Sequence, residues 1–300
     1  MMKRFVVRVA GLIVGVGLGV VVPGGAQAAA VPKRNDGLNE TIYWVHGIQV
    51  GPKVKVPVAD CKQWDAAVKR YRGGSFTGTV RTVGYYKNDK NCNAQIARTD
   101  RNTSIKELGR LLAWDIYNNY TKKGKSVDAV GHSMGGLIIR SAITGVQKKL
   151  SGWPPRLFVE DVVTFSTPHS GTLFANACGF TQCKEMRIDS SFLKWLSKTP
   201  YSTQRTDWTL IGSTKDIAVP AWSATVTDAK KAGYFTPGHR VVFTDGKGLS
   251  HSGIYKQTAN SGYKVRYWNA PQASQGWIKK TNHVSPVVMA RNGNYYFSKW

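Results

Sequence analysis

The chain has 300 residues, with 42 lysines and arginines against 17 aspartates and glutamates, so its net charge is +25. This length allows one large domain or two small ones. The basic residues are scattered and not clustered beside aromatic residues, which argues against specific nucleic-acid binding. Such a charge still allows electrostatic attraction to anionic surfaces.

Residues 1–28 predict a secretory signal peptide. An apolar run over residues 9–22 is followed by Ala-Gln-Ala at 26–28, a pattern of small residues typical of a cleavage site. The run is shorter than the ~20 apolar residues that a membrane span needs, so we expect no transmembrane anchor in the mature chain. Cleavage would remove three basic residues, leaving residues 29–300 as a single secreted domain of net charge +22. The three basic residues are Lys3, Arg4 and Arg8.

The first part of this domain alternates predicted strands and helices. We expect strands over residues 40–45 and 79–86, with a helix over 63–71 between them. Ser104 and Glu107 form a capping box, which predicts that a second helix begins there. Apolar residues recur through this helix at helical spacing, and two lysines followed by a glycine are typical of its end.

The second part of the domain continues the alternation. Further strands are expected over residues 126–130, 162–165, 209–211 and 240–243, and a helix follows the first of them. A long insert over about 173–206 separates two of these strands. The order predicts an α/β fold, in which a mostly parallel sheet is covered by helices on both faces.

A Gly-x-Ser-x-Gly pattern surrounds Ser133, between the predicted strand at 126–130 and its helix. A serine in such a tight strand-to-helix turn needs small neighbours, and the turn exposes its hydroxyl. The free N–H groups of the following helix favour a developing anion. We therefore expect Ser133 to be a nucleophile, with the backbone N–H groups of Met134 and Ile48 as the oxyanion hole.

The partners of Ser133 should lie at the sheet edge formed by the carboxyl ends of the strands. Asp216 and His251 each follow a predicted strand at that edge, and they are the expected acid and base. Asp245 is the rival acid, although Asp-Gly is also a turn dipeptide. His46 and His169 also follow strands at this edge, and we expect them to line the substrate site.

The insert at 173–206 is rich in aromatic and aliphatic residues, with a predicted helix over 191–198. It is interpreted either as a cap packed on the core or as a lid and acyl-binding wall to which Phe192 contributes. Four cysteines in an exported chain suggest two disulfides, and three pairings are open. We favour the pairs Cys61–Cys92 and Cys178–Cys183, because each pair is local and lies in predicted loop or cap territory. The cysteine spacings do not resemble a zinc site.

These segments together resemble the α/β-hydrolase superfamily and, within it, secreted actinobacterial-type lipases and esterases. The similar segments are residues 46–47 at the oxyanion strand, 131–135 at the nucleophile elbow, 167–172 beside the site and 186–196 in the cap. Asp216 and His251 fall at the family's acid and base positions. The resemblance implies hydrolysis of acyl or lipid esters through an acyl-serine intermediate, without a metal or cofactor.

Two other functions fit the same residues. An acyltransferase or amidase would use the same triad with another acceptor or substrate, and a catalytically inactive scaffold could serve as a cationic surface-binding protein. The motifs do not explain the positive charge or the tryptophans near the carboxyl terminus. These tryptophans are Trp268, Trp277 and Trp300.

Overall fold

The computed structural model describes residues 30–34, 37–51 and 54–295, so the predicted signal peptide and Trp300 lie outside the described residues. The strands are β1 Thr41–Val45, β2 Val80–Tyr86, β3 Ala94–Thr99, β4 Val127–His132, β5 Val159–Phe165, β6 Asp207–Ser213, β7 His239–Asp245, β8 Tyr263–Asn269 and β9 Ile278–His283. The α-helices are α1 Asp65–Arg72, α2 Ile105–Asn119, α3 Met134–Gln147, α4 Thr181–Met186, α5 Ser191–Trp195, α6 Ala221–Ala224 and α7 Pro286–Tyr295.

The nine strands form one sheet in the order β3-β2-β1-β4-β5-β6-β7-β8-β9. Strands β1 to β7 pair in parallel, and β8 and β9 add an antiparallel hairpin at one edge. The central strands β1, β4 and β5 are buried along their whole length, as parallel strands covered on both faces must be. The predicted mostly parallel sheet is therefore confirmed.

Helices cover both faces of the sheet. Helices α2 and α3 pack on one face, and α1 and α7 pack on the other, each over its own apolar cluster. Helix α2 begins as predicted, because the Ser104 hydroxyl accepts a hydrogen bond from the N–H of Glu107 at 3.0 Å. The chain turns after it at Gly124, whose φ of +70° suits glycine.

Several elements differ from the sequence-based prediction. Strands β3, β8 and β9 and helix α7 were not predicted, and α5 ends three residues before the expected helix does. Strand β9 is largely exposed along its length, so it lacks the apolar alternation that marks a half-buried strand.

Two disulfides tie loops to this framework. Cys61–Cys92 joins the approach to α1 to the connection between β2 and β3, with Cα atoms 5.0 Å apart. Cys178–Cys183 closes a short loop beside α4, with Cα atoms 6.0 Å apart. This is the pairing that the sequence favoured. No helix in the described part of the chain is both long enough and apolar enough to cross a membrane.

Candidate active site

The turn between β4 and α3 presents Ser133 with φ +54° and ψ −128°, a conformation that residues with a Cβ rarely adopt. The flanking glycines make this turn possible. A Cβ on Gly131 would lie 2.5 Å from the Gly136 nitrogen, and one on Gly135 would collide with the carbonyl of Val45. The Gly-x-Ser-x-Gly pattern is thus required by backbone packing at this turn.

Three side chains from separate loops meet beside the turn. The Oγ of Ser133 lies 3.0 Å from Nε2 of His251, and Nδ1 of His251 lies 2.8 Å from Oδ2 of Asp216. A carboxylate only accepts hydrogen bonds, so the proton is on Nδ1 of His251. Nε2 is then left with a lone pair directed at the hydroxyl of Ser133. The structure therefore brings together the serine of the Gly-x-Ser-x-Gly pattern and the two residues that the strand-end rule selected.

Asp216 is held as a carboxylate. Its Oδ1 accepts hydrogen bonds from the N–H groups of Ala218 and Val219 at 2.9 and 3.0 Å. Burial by itself would raise the pKa of Asp216, but the hydrogen bond and charge of His251 outweigh that effect, and the pKa falls below its ordinary value. Asp216 can therefore stabilise a positive charge on His251.

The rival acid, Asp245, lies apart from this cluster. Its carboxylate is exposed, pairs with Lys264 at 3.2 Å and accepts the N–H of Gly246 at 2.9 Å. These contacts belong to a turn residue at the end of β7. The choice of Asp216 over Asp245 thus agrees with the geometry.

His132 contacts His251, the expected base, through a hydrogen bond and through its ring. Its Nε2 donates to the backbone carbonyl of His251 at 2.8 Å, and its ring packs 4.8 Å from the ring of His251 and 4.4 Å from that of Tyr255. Burial, aided by the charge of His251, lowers the pKa of His132 well below its ordinary value. His132 is therefore a neutral donor that fixes the loop carrying His251.

The loop after β1 passes directly over Ser133. A Cβ on Gly47 would lie 2.7 Å from Cβ and 3.2 Å from Oγ of Ser133, so only glycine allows this approach. Ile48 lines the cavity on this side. Met134 is the first residue of α3, and its N–H belongs to the group at a helix start that has no partner within the helix.

A buried network behind this loop was not foreseen from the sequence. Oδ2 of Asp89 lies 3.0 Å from Nε2 of His46 and accepts the N–H groups of Tyr85 and Tyr86 at 2.8 Å. The hydroxyl of Tyr85 donates to the carbonyls of His46 and Gly47, each at 2.9 Å. Asp89 follows a strand at the same edge as Asp216, so the rule that selected the acid could also have found it.

A cavity of about 1080 Å³ opens beside Ser133. Its walls are mainly apolar and come from the loop after β1, the 173–206 segment and the loop after Asp216. The larger apolar residues in its lining are Ile48, Val50, Val54, Phe174, Phe180, Met186, Ile217, Val219 and Tyr255. Phe174 and Ile217 also reach the surface, with 56% and 99% of their area exposed, so the mouth has an apolar rim.

Three residues that were expected to line the substrate site do not reach the cavity. His46 is fully buried, stacked 4.0 Å from Tyr85, with both ring nitrogens facing oxygen acceptors. His169 is also fully buried and lies 3.0 Å from the hydroxyl of Thr164. Phe192 packs into the core against Trp195. The strand-end rule places a residue at the correct edge but does not give its depth.

The wall formed by α4 is fastened to the loop before α2. The amide of Gln182 donates to the carbonyls of Asp100 and Thr103 at 3.1 Å and accepts the hydroxyl of Tyr86 at 2.6 Å. A carboxylate oxygen of Glu185 accepts the N–H of Ile105, the first residue of α2, at 2.6 Å. The wall is thus held by buried and partly buried side-chain hydrogen bonds.

Arg101 joins two walls of the cavity. Its guanidinium donates to the carbonyls of Val54 and Lys55 at 3.1 and 2.6 Å and lies 4.1 Å from the ring centroid of Phe180. The loop after β1 and the 173–206 segment are therefore connected through one side chain.

Comparison with known proteins gives a family match over part of the chain. Residues 87–205 match the family described as "Putative serine esterase (DUF676)", a stretch that includes Ser133 but ends before Asp216 and His251. No curated protein sequence matches the chain significantly. The fold, a mostly parallel sheet covered by helices on both faces, is of the predicted α/β class. Over that stretch, the match bears out the predicted resemblance to serine esterases and supports an esterase-like hydrolase.

Solved structures similar to this chain include bacterial and fungal lipases. The mature Bacillus licheniformis lipase BlEst2 is 16% identical, with a TM-score of 0.46 over 75% of this chain and 90% of that one. Aspergillus fumigatus lipase B is 15% identical, with a TM-score of 0.45 over 72% of this chain and 49% of that one. An extracellular α/β-hydrolase from a Paenibacillus species is 15% identical, with a TM-score of 0.38 over 71% and 91%.

Proposed function

We propose that the protein is a secreted serine carboxylic-ester hydrolase that cleaves acyl esters through an acyl-serine intermediate. The observation that carries the proposal is the hydrogen-bonded succession of Ser133, His251 and Asp216 at the wall of a largely apolar cavity. An alcohol, an imidazole and a carboxylate in this order are the parts of a serine hydrolase. The two disulfides are consistent with an oxidising compartment outside the cytosol.

In the first half of the reaction, Oγ of Ser133 attacks the ester carbonyl while Nε2 of His251 takes the hydroxyl proton. Asp216 holds the imidazole in the required tautomer and stabilises its positive charge. The N–H groups of Ile48 and Met134 bind the oxyanion of the tetrahedral intermediate. His251 then returns the proton to the leaving alcohol, and the acyl group remains on Ser133.

In the second half, His251 takes a proton from water as the water oxygen attacks the acyl-serine carbonyl. The bond to Oγ of Ser133 then breaks, His251 returns the proton to Oγ, and the carboxylic acid is released. The apolar walls from Phe174, Phe180 and Met186 suit the acyl chain of the ester, because burial of apolar surface favours binding. Fatty-acyl esters are therefore the favoured substrate class.

The test uses a chromogenic p-nitrophenyl acyl ester and a fluorophosphonate probe that labels activated serines. We expect the wild type to hydrolyse the ester and to be labelled at Ser133, and Ser133→Ala to lose both, with turnover reduced by about 10⁶-fold. Unlabelled, inactive but folded wild-type protein would favour a binding scaffold instead. Transfer of the acyl group to an added alcohol in preference to water would favour an acyltransferase.

The matched control is Ser141→Ala. Ser141 lies on α3, the helix that directly follows Ser133. It is fully buried and does not line the cavity. We expect this variant to keep both labelling and turnover, which separates loss of the nucleophile from general damage to the helix.

A further inference from the structure

The antiparallel hairpin formed by β8 and β9 lies in a part of the chain without acidic residues. Asp245 is the last aspartate or glutamate in the sequence, and eight basic residues follow it. They are Lys247, Lys256, Lys264, Arg266, Lys279, Lys280, Arg291 and Lys299. Neither the cavity nor the catalytic geometry explains this one-sided composition.

The hairpin gathers cations and tryptophans on one face. Residues alternate along β8, so Lys264 and Arg266 are exposed while the residues between them are buried. Arg266 is directly opposite Lys279 on β9, and its guanidinium lies 5.1 Å from the ring centroid of Trp277. At the other end of β8, the guanidinium of Arg240 lies 4.6 Å from the ring centroid of Trp268.

Arg266 and Lys279 are an unfavourable cross-strand pair. Like charges directly opposite each other destabilise an antiparallel ladder. Within the described ranges, Lys264 is paired with Asp245, but neither Arg266 nor Lys279 forms an ion pair. The two cations therefore present their charge to solvent at a cost to the hairpin, and an external anion would remove that cost.

We propose that this surface, the hairpin face, binds a flexible anionic polymer outside the cell through its repeated phosphate or carboxylate groups. The hairpin face comprises Lys264, Arg266, Trp268, Trp277 and Lys279. Guanidinium and ammonium groups spaced along two strands can each contact one anionic group of a polymer chain. Each contact favours binding, because it releases a counterion from the polymer.

Two other occupants fit the face less well. A bilayer would need apolar side chains to insert, and the large apolar residues most exposed in the described chain lie elsewhere. They are Val31, Val56, Leu173, Phe174, Tyr201 and Ile217. Single-stranded nucleic acid binds by stacking its bases on open aromatic rings. Here guanidinium groups lie over Trp268 and Trp277.

The tryptophan end of the hairpin face lies away from the catalytic residues. Trp268 pairs with Arg240 near the start of β7, whereas His251 follows the end of that strand. The tryptophan end of the face and the catalytic residues are therefore at opposite edges of the sheet. Lys264, at the other end of the face, pairs with Asp245 at the catalytic edge, so it is tethering by the tryptophan end that would leave the cavity open to solvent.

The test measures binding of long-chain inorganic polyphosphate and of polyglutamate between 50 and 200 mM salt. We expect the double variant Arg266→Gln/Lys279→Gln to bind both at least about tenfold more weakly, with a log–log salt slope shallower by about 2. The matched control is Lys122→Gln/Lys123→Gln, which removes the same charge from exposed lysines after α2. An equal loss in both double variants would overturn the proposal, because net charge alone would then explain binding.

A second variant separates binding from folding. Lys279→Glu places a carboxylate opposite Arg266, so we expect thermal stability to be maintained or raised while polymer affinity falls. Hydrolysis of a soluble chromogenic ester should be unchanged. Unchanged polymer affinity in Lys279→Glu would overturn the proposal. Binding confined to duplex DNA, or to vesicles of 70% phosphatidylcholine and 30% phosphatidylglycerol, would also overturn it.

Discussion

The two sides of the cavity are built in different ways. On the elbow side, Ser133 and the loop over it are positioned by long buried elements and by glycines whose places a Cβ cannot occupy. On the cap side, α4 and α5 have six and five residues, and side-chain hydrogen bonds from Gln182 and Glu185 fasten the wall. Backbone geometry therefore determines the chemistry, and side-chain contacts determine the shape of the acyl site.

This difference predicts where substitutions act. Changes on the elbow side should reduce turnover of every ester without lowering stability in proportion. Changes on the cap side should affect stability and its pH dependence while the proton relay stays intact. Three substitutions, in order of decreasing effect, test the contrast.

The largest of these effects is expected from Asp216→Asn. The amide of asparagine would donate to Nδ1 of His251 and leave the proton on Nε2, so His251 could no longer accept the proton of Ser133. We expect kcat/KM for a chromogenic ester to fall by about 10⁴-fold, with the folded structure retained by circular dichroism.

The control is Asp245→Asn, which removes an exposed carboxylate at the end of the neighbouring strand β7, at the same edge of the sheet. We expect its turnover to match the wild type. The reverse result, with Asp245→Asn inactive and Asp216→Asn active, would assign the acid to Asp245 and contradict the proposed triad.

A smaller loss is expected from Gly47→Ala. The new Cβ would push the loop away from Ser133 and displace the N–H of Ile48 from the oxyanion, so kcat should fall by about 10²–10³-fold. Gly179→Ala is the control, because Gly179 also lines the cavity but has open space around its Cβ position. If both variants were equally active, the close approach at Gly47 would not be needed for catalysis.

The smallest effect concerns pH and the cap side. Burial raises the pKa of Glu185 to about 7, although the N–H of Ile105 and the charge of Lys106 oppose this. The folded protein therefore holds this proton more tightly than the unfolded chain does. The free energy of unfolding contributed by Glu185 falls as pH rises from about 4.5 to about 7.

Glu185→Gln removes this dependence while keeping an oxygen that can accept the N–H of Ile105. We expect the melting temperature to rise relative to wild type at pH 8 and to match it at pH 4, as measured by thermal denaturation. Glu107→Gln removes a more exposed carboxylate from the first turn of α2 and should give no such gain. A gain from Glu185→Gln that was the same at both pH values would refute the titration of Glu185 as its cause.

The elbow side was largely predictable from the sequence, because its determinants are local. A glycine pattern between a strand and a helix identified Ser133, and the rule that strand ends share one edge selected Asp216 and His251. The same reasoning predicted the strands from β1 to β7 except β3. Strand β3 is mostly polar, and β9 is an exposed edge strand, so neither carries a clear periodic signal.

The depth and contacts of side chains were predicted less well on both sides, because they are not local properties. His46 and His169 are at the expected edge, but aromatic neighbours enclose both rings. Phe192 is the kind of apolar side chain expected in a substrate wall, but its helix directs it into the core. Gln182 and Arg101 act through partners far away in the sequence, which no short pattern could identify.

Ile217 is an exposed residue directly after Asp216, whose carboxylate must keep its position for catalysis. Hydrogen bonds from Ala218 and Val219 to the Asp216 carboxylate fix the loop on one side of it, while 99% of its own surface is exposed at the cavity mouth. Its side chain can therefore be exchanged without moving the carboxylate. Selection, natural or in the laboratory, could retune which molecules enter at this position while leaving the chemistry untouched.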